Sequence, residues 1–157
     1  MSVVATRRRQ TVRLIVTEVP VETTYDLRRR VLRGGAADAE VAFPGDDVAG
    51  TFHLAVHDPG VVAIATFIPA PTPHREGQVT FQLRGMAVDD GRQGQGLGRV
   101  LLDAAAERMR AGGAVAVWAH ARDSALGFYE RLGWKVVGDG YVYGPMNLPH
   151  HLAIWDL

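Results

Sequence analysis

The stretch Gln78-Val79-Thr80-Phe81-Gln82-Leu83-Arg84-Gly85-Met86-Ala87-Val88, followed by Asp89-Asp90-Gly91-Arg92-Gln93-Gly94-Gln95-Gly96-Leu97-Gly98, decides the fold. Apolar side chains alternate at Val79, Phe81 and Leu83, as in a strand with one face covered. They resume at Met86 and Val88, one residue out of phase. A period of two cannot slip without an extra residue, so a β-bulge is expected across Arg84-Gly85. The alternative is a Gly85 that only relieves crowding. The glycines at 94, 96 and 98 lie between this strand and a helix. They leave amides uncovered at the helix N-terminus, a site for phosphate or pyrophosphate.

Working outward, Leu97, Leu101, Leu102, Ala105 and Met109 share one side of a helix that ends at Gly112-Gly113. Arg99, Asp103, Glu107 and Arg110 take the other side. Val115 to Ala119 is a short apolar strand, and strand, helix, strand in this order implies a right-handed crossover and a parallel pair. Asp123 is expected to cap a last helix that turns Ala125, Phe128 and Leu132 inward and stops at Gly133. Two short strands close the chain, around Lys135–Val137 and His151–Trp155.

Toward the N-terminus, Val12, Leu14 and Val16 alternate as a first strand. Thr23-Thr24-Tyr25-Asp26 reads as a capping box before a helix with Leu27, Val31 and Leu32, closed by Gly34-Gly35. Ala36 to Val41 suits a second short helix before a turn at Pro44-Gly45-Asp46-Asp47. Phe52, Leu54 and Val56 form a half-buried strand that places His53 on its exposed face. Asp58-Pro59-Gly60 turns the chain into a strand over Val61–Ile68, making this part antiparallel. The expected fold is a single mixed α/β domain over 1–157. Its central sheet has about six to seven strands, antiparallel at first, with a parallel pair between the fourth and fifth splayed by the bulge. About four helices flank it, and residues 1–10 form a flexible tail.

Seventeen basic residues balance seventeen acidic ones, which leaves no electrostatic case for nucleic acid or an anionic membrane as partner. Arg7-Arg8-Arg9 is a basic run at the start of the chain and reads as a solvated tail. The chain has no cysteine, which excludes disulfides, thiolate metal sites and a cysteine acyl-enzyme. Nothing near the start resembles a signal peptide and no apolar run approaches the ~18 residues of a membrane span, so a cytoplasmic location is expected. No metal is expected either. His53 and His57 are ~13 Å apart along one strand face, and His150 and His151 point to opposite faces.

A dinucleotide fingerprint would need glycine or alanine where Arg99 stands, and an acid where the second strand ends in His120. A nucleotide-hydrolase phosphate loop would need Lys and Ser/Thr where Arg99-Val100 stand. Gln93-x-x-Gly96-x-Gly98 instead resembles the pyrophosphate loop of the GNAT superfamily of acetyl-CoA-dependent N-acetyltransferases. Leu83-Arg84-Gly85-Met86-Ala87-Val88 is similar to that family's bulged fourth strand. Ser124-Ala125-Leu126-Gly127-Phe128-Tyr129-Glu130-Arg131-Leu132-Gly133-Trp134 resembles its second motif. The likeness covers residues 78–137. It departs at Arg122, where the superfamily often carries asparagine.

The resemblance implies coenzyme A as cofactor and transfer of an acetyl group to a small-molecule or peptide amine, without a covalent intermediate. It implies that the CoA arm joins the strand edge along Met86, Ala87 and Val88, with the Val88 amide facing a developing oxyanion. The pyrophosphate would rest on Arg92, Gln93, Gly94, Gln95, Gly96, Leu97, Gly98 and Arg99, with Ser124 or Arg122 replacing the asparagine. Tyr129 takes the place of the family's general acid; otherwise it is a core aromatic beside Phe128. His120 is the first candidate base, ahead of His53, His150 and His151, with water as the alternative. Asp46 and Asp47 either hold a cationic amine or are solvated, and Tyr141 and Tyr143 either line the acceptor site or are ordinary strand aromatics. Family members are frequently dimers, so the resemblance allows a homodimer, but the sequence itself does not give the oligomeric state. The rival of another class is a non-catalytic acyl-CoA sensor on the same fold.

Overall fold

The computed structural model describes the backbone of residues 2–7 and 10–157 and side chains from residue 14 onward. One mixed sheet of eight strands runs through it: β1 (Ser2–Arg7), β2 (Gln10–Val19), β3 (Phe52–His57), β4 (Val61–Pro69), β5 (Thr80–Val88), β6 (Ala116–Arg122), β7 (Lys135–Tyr143) and β8 (Leu148–Asp156). The spatial order is β1-β2-β3-β4-β5-β6-β8-β7. Among the described residues, only β5 and β6 pair in parallel. This is the mixed α/β fold expected, with one strand more. Residues 2–7 of the expected tail pair antiparallel with β2. Arg8 and Arg9 of the basic run lie outside the described residues.

Among the described residues, three helical segments flank the sheet, besides single 3-10 turns at Pro73–Arg75, Asp90–Arg92 and Asp123–Ala125. A segment over 21–32, called α1 below, opens as a 3-10 turn (Val21–Thr24), is α-helical at Tyr25–Leu27 and closes as a π-helix (Arg28–Leu32). The expected capping box does not form, because the Thr24 hydroxyl donates to the Val21 carbonyl at 2.6 Å from inside the segment. Residues 36–41 are not helical. Their carbonyls are used by the preceding helix instead: Arg28 donates to Val41 and Arg33 to Glu40. The other two segments are α2 (Leu97–Ala111) and α3 (Leu126–Arg131). Asp123 does not cap α3; its carboxylate takes the His151 ring nitrogen at 2.7 Å.

The core lies on both sides of the sheet. On one side α2 lays Leu97, Leu101, Leu102, Ala105 and Met109 against Leu83, Ala63 and Val117. On the other, Leu27 of α1 packs on Ala55, Ile64 and Ala87. His53 is therefore buried, not exposed, because α1 and the following loop cover its face; its Nδ1 is 2.8 Å from the Thr66 hydroxyl.

The expected bulge is present. Ile64 pairs with Ala87 and Thr66 with Arg84, so Gly85 and Met86 together oppose the single residue Ala65. Gly85 has φ +68°, and a Cβ on it would meet Phe43 Cε2 at 2.7 Å. Conformation and space both demand glycine there. Beyond the bend, β5 and β6 part. They pair only from Thr80–Gln82 with Ala116–Trp118, whereas β6 stays paired with β8 to Arg122.

Candidate active site

The parting of β5 and β6 opens a cavity of about 300 Å³. Its floor is Gln82 to Met86 of β5, one wall is His120 and Arg122 of β6 with Tyr129 of α3, and the other is Leu32, Arg33 and Phe43. The turn between β7 and β8 closes the end through Tyr143, Met146 and His150.

Backbone polarity follows from register. The Asp89 amide donates to the Val62 carbonyl at 2.9 Å, across to β4. Successive amides of a strand point to opposite edges, so Val88 and Met86 turn theirs toward the slot. Ala87, between them, turns its amide to β4 and buries its methyl under α1. The Val88 carbonyl is 3.4 Å from the Gln93 side-chain amide, which fastens the strand to the loop after it.

That loop ends at the N-terminus of α2. Gly94 and Gly96 have φ +75° and +78°, and a Cβ at either would meet nothing within 4 Å, so the loop's outer surface is open. Among the described residues, the amides from Gly94 to Arg99 donate to no acceptor. Six orphan donors at a helix start form a preorganised anion cradle. This is the feature that a pyrophosphate fits. Gly98 serves packing instead, since a Cβ there would lie 2.9 Å from the Phe128 ring. Arg92 is tied to Asp58 (2.7 Å) and Gln95 (2.8 Å) and so braces the loop on the β3–β4 hairpin. Arg99 is exposed beside Asp103, and Leu97 is buried in the core. Ser124 is exposed in the turn before α3, outside the cavity lining.

Tyr129 packs edge-on against Phe128 and Trp134 and lines the cavity. Its hydroxyl has no hydrogen-bond partner among the described residues, and burial pushes its pKa up to about 12. It therefore keeps its proton at neutral pH. His120 stacks on Tyr143 with ring centroids 3.9 Å apart, and its Nδ1 is 2.6 Å from the Tyr141 hydroxyl. Burial first, then His150 and Arg84, lower its pKa, so the ring is neutral and able to accept a proton. His151 is held by Asp123 on the other face.

Asp46, weighed from the sequence as a holder of cationic amines, is already engaged. It grips Arg28 through two bonds of 2.8 and 2.9 Å, and Arg28 is fully buried. Burial alone would raise the Asp46 pKa, but the Arg28 guanidinium and the Phe43 amide outweigh it and hold it below the usual carboxylate range. Arg28 also donates to Thr66 at 2.8 Å and stacks on Phe43 at 4.1 Å. This buried network was not legible from the sequence, because its members are separated by up to 38 residues. Among the described residues no group of His, Asp and Glu is arranged to hold a metal, and no helix is long and apolar enough to cross a membrane.

Residues 21–134 match the profile described as the acetyltransferase (GNAT) family. The chain is 35% identical over 146 residues to the uncharacterized N-acetyltransferase YitI of Bacillus subtilis (strain 168), covering 90% of this chain and 95% of that one. Its fold is similar to an acyl-CoA N-acyltransferase from Pseudomonas aeruginosa, with TM-score 0.67, 21% identity and coverage of 90% and 98%. It is also similar to an aminoglycoside 6'-N-acetyltransferase complexed with coenzyme A, with TM-score 0.70, 16% identity and coverage of 90% and 96%.

Proposed function

This chain belongs to the acetyltransferase (GNAT) family and takes its acyl group from acetyl-CoA, and on that premise we propose that it acetylates an amine by direct attack at the slot between β5 and β6. The observation that carries the reading is the continuity of three features. The orphan amides of 94–99 lead to the strand edge at Val88 and Met86, and at Met86 that edge meets the cavity holding Tyr129 and His120.

Bound acetyl-CoA supplies an activated thioester and a sulfur leaving group. The amides of 94–99 would hold its pyrophosphate, and the edge of Met86 and Val88 would extend the sheet along its arm. The Val88 N–H is a fixed donor for a carbonyl oxygen that gains charge, in a place where no reorganisation is needed. His120, neutral by burial, accepts the proton that the amine loses. Tyr129 gives its proton to the departing sulfur; its high pKa makes it a poor source in isolation but a matched one for a buried thiolate. With no cysteine in the chain, the amine attacks directly.

Release of free thiol from acetyl-CoA, followed with a panel of amines, tests this. Amine-dependent release that falls as pH drops through a value below 6.5, with that limb lost in His120→Ala, is the expected result. Acetyl-CoA binding with no release for any amine would turn the chain into an acyl-CoA sensor. Release with an unchanged pH profile in His120→Ala would leave water as the base.

A further inference from the structure

The cavity carries three guanidinium groups that the acyl-transfer steps do not use. Arg33 follows α1, Arg84 stands on β5 just before the bulge, and Arg122 ends β6. Among the described residues none of the three is in an ion pair. Arg33 reaches only the Glu40 and Leu32 carbonyls, at 3.3 and 3.4 Å, and Arg84 only the Pro44 carbonyl, at 3.5 Å. Arg33 and Arg84 lie 5.0 and 5.2 Å from the centre of the Phe43 ring, with buried Arg28 on the same ring at 4.1 Å. A ring face eases the crowding of cations without neutralising them. Arg28 has its own carboxylate in Asp46; the other three have none. No carboxylate lines the cavity among the described residues. Arg33 registers the crowding: burial, then Arg122, Arg84 and Arg28, lower its pKa.

The phosphates of the acyl donor do not account for these charges. Leu83 and Ala121 belong to the α2 side of the core. Side chains alternate along a strand, so their neighbours Arg84 and Arg122 project from the opposite, α1 face. The glycine loop feeds α2, on the far side of the sheet.

We infer that the acceptor amine carries an oxyanion, a carboxylate or a phosphate, near its reacting nitrogen, and that Arg33, Arg84 and Arg122 form its receptor. Guanidinium forks match both oxyanions and leave a polycation strongly disfavoured, so the cavity selects by attraction and by repulsion together. The inference rests on the acyl-transfer reading above for the word acceptor; the oxyanion receptor itself is a binding site that can be measured alone.

The experiment uses matched ligands on the full chain saturated with CoA: an α-amino acid against its amide, O-phosphoethanolamine against ethanolamine, and spermidine as the cationic control. Calorimetric titration is expected to show the anionic member of at least one pair binding about 10- to 100-fold tighter, the span of a charge-assisted bond to arginine. Arg84→Gln and Arg33→Gln should remove most of that preference, with Arg84→Lys restoring part of it, while circular dichroism and acetyl-CoA affinity stay unchanged. The pair that binds tells carboxylate from phosphate. Equal or tighter binding of the neutral or cationic members overturns the inference. Thiol release with the same ligands separates it from its premise. Anion-selective binding without release for any amine removes the transferase reading and keeps the receptor, whereas brisk release with neutral amines and no anion preference does the reverse.

Discussion

On one face of the sheet, α2 lays leucines, alanines and a methionine over Leu83, Ala63 and Val117 in an apolar core, with Arg108 at its margin stacked on Phe52 and paired with Glu18. On the other face, α1 and the loop after it cover Thr66 and His53 with a buried ion pair: Arg28 bonds Asp46, Thr66 and the Val41 carbonyl under the ring of Phe43. The first face positions a cradle of backbone amides, a device that tolerates almost any side chain around it. The second positions charged side chains around the cavity proposed above as the acceptor site. Apolar burial is indifferent to partner and pH, so it suits the part that handles one invariant donor. An ion network holds only when each member is present, so it suits a part whose residues set which acceptor enters.

The largest effect should fall on neither face but at the slot between them. Tyr129→Phe is expected to lower turnover by ~10²–10⁴ while acetyl-CoA affinity and thermal stability barely move. Turnover within a factor of two of the parent would return Tyr129 to the core as a packing residue. Stability then tells the faces apart. Asp46→Ala leaves the Arg28 charge buried without its partner and should cost about 3–5 kcal/mol in urea denaturation. Leu101→Ala, on the apolar face, should cost about 2–5 kcal/mol through the cavity it leaves. The contrast lies in rescue: Arg28→Met together with Asp46→Leu should recover most of the first loss, since an apolar pair needs no solvation. A double variant no better than Asp46→Ala would mean that the network's hydrogen bonds, not its charges, hold this face.

Gly85→Ala comes next, at about 1–3 kcal/mol, because an L side chain at φ +68° is strained and its Cβ collides with Phe43. It should weaken acetyl-CoA binding as well, since the bulge sets the slot; a stability loss with binding untouched would uncouple the two. The smallest effect is on pH. The Asp46 pKa is depressed in the folded state, so its contribution is present above its unfolded value near 4 and is lost as pH falls below it. The Arg28→Met, Asp46→Leu variant should accordingly lose less stability than the parent between about pH 5 and pH 3.

Much of the apolar face was legible in the sequence because its signals are local. A one-residue phase slip between Leu83 and Met86 announced the bulge. Glycines at 94 and 96 marked the cradle, and the spacing of Leu97, Leu101 and Ala105 drew the helix. The other face misled for the opposite reason. His53 alternates with apolar neighbours as an exposed residue would, and only a helix from elsewhere in the chain shows that it is buried. Ala36 to Val41 has helical composition, yet its carbonyls serve Arg28 and Arg33. Asp46 sits in a turn where solvation was the ordinary expectation, and its partner is 18 residues away. Arg33, Arg84 and Arg122 stand far apart in the chain, and nothing but the fold brings them to one cavity.

The most direct test of the slot is amide hydrogen exchange followed residue by residue with and without CoA. The amides from Gly94 to Arg99, together with Met86 and Val88, should gain protection on binding, and Ala87, already bonded to β4, should change little. Protection that arises elsewhere, with 94–99 and Val88 exchanging as before, would contradict the placement of the acyl donor and of the chemistry built on it.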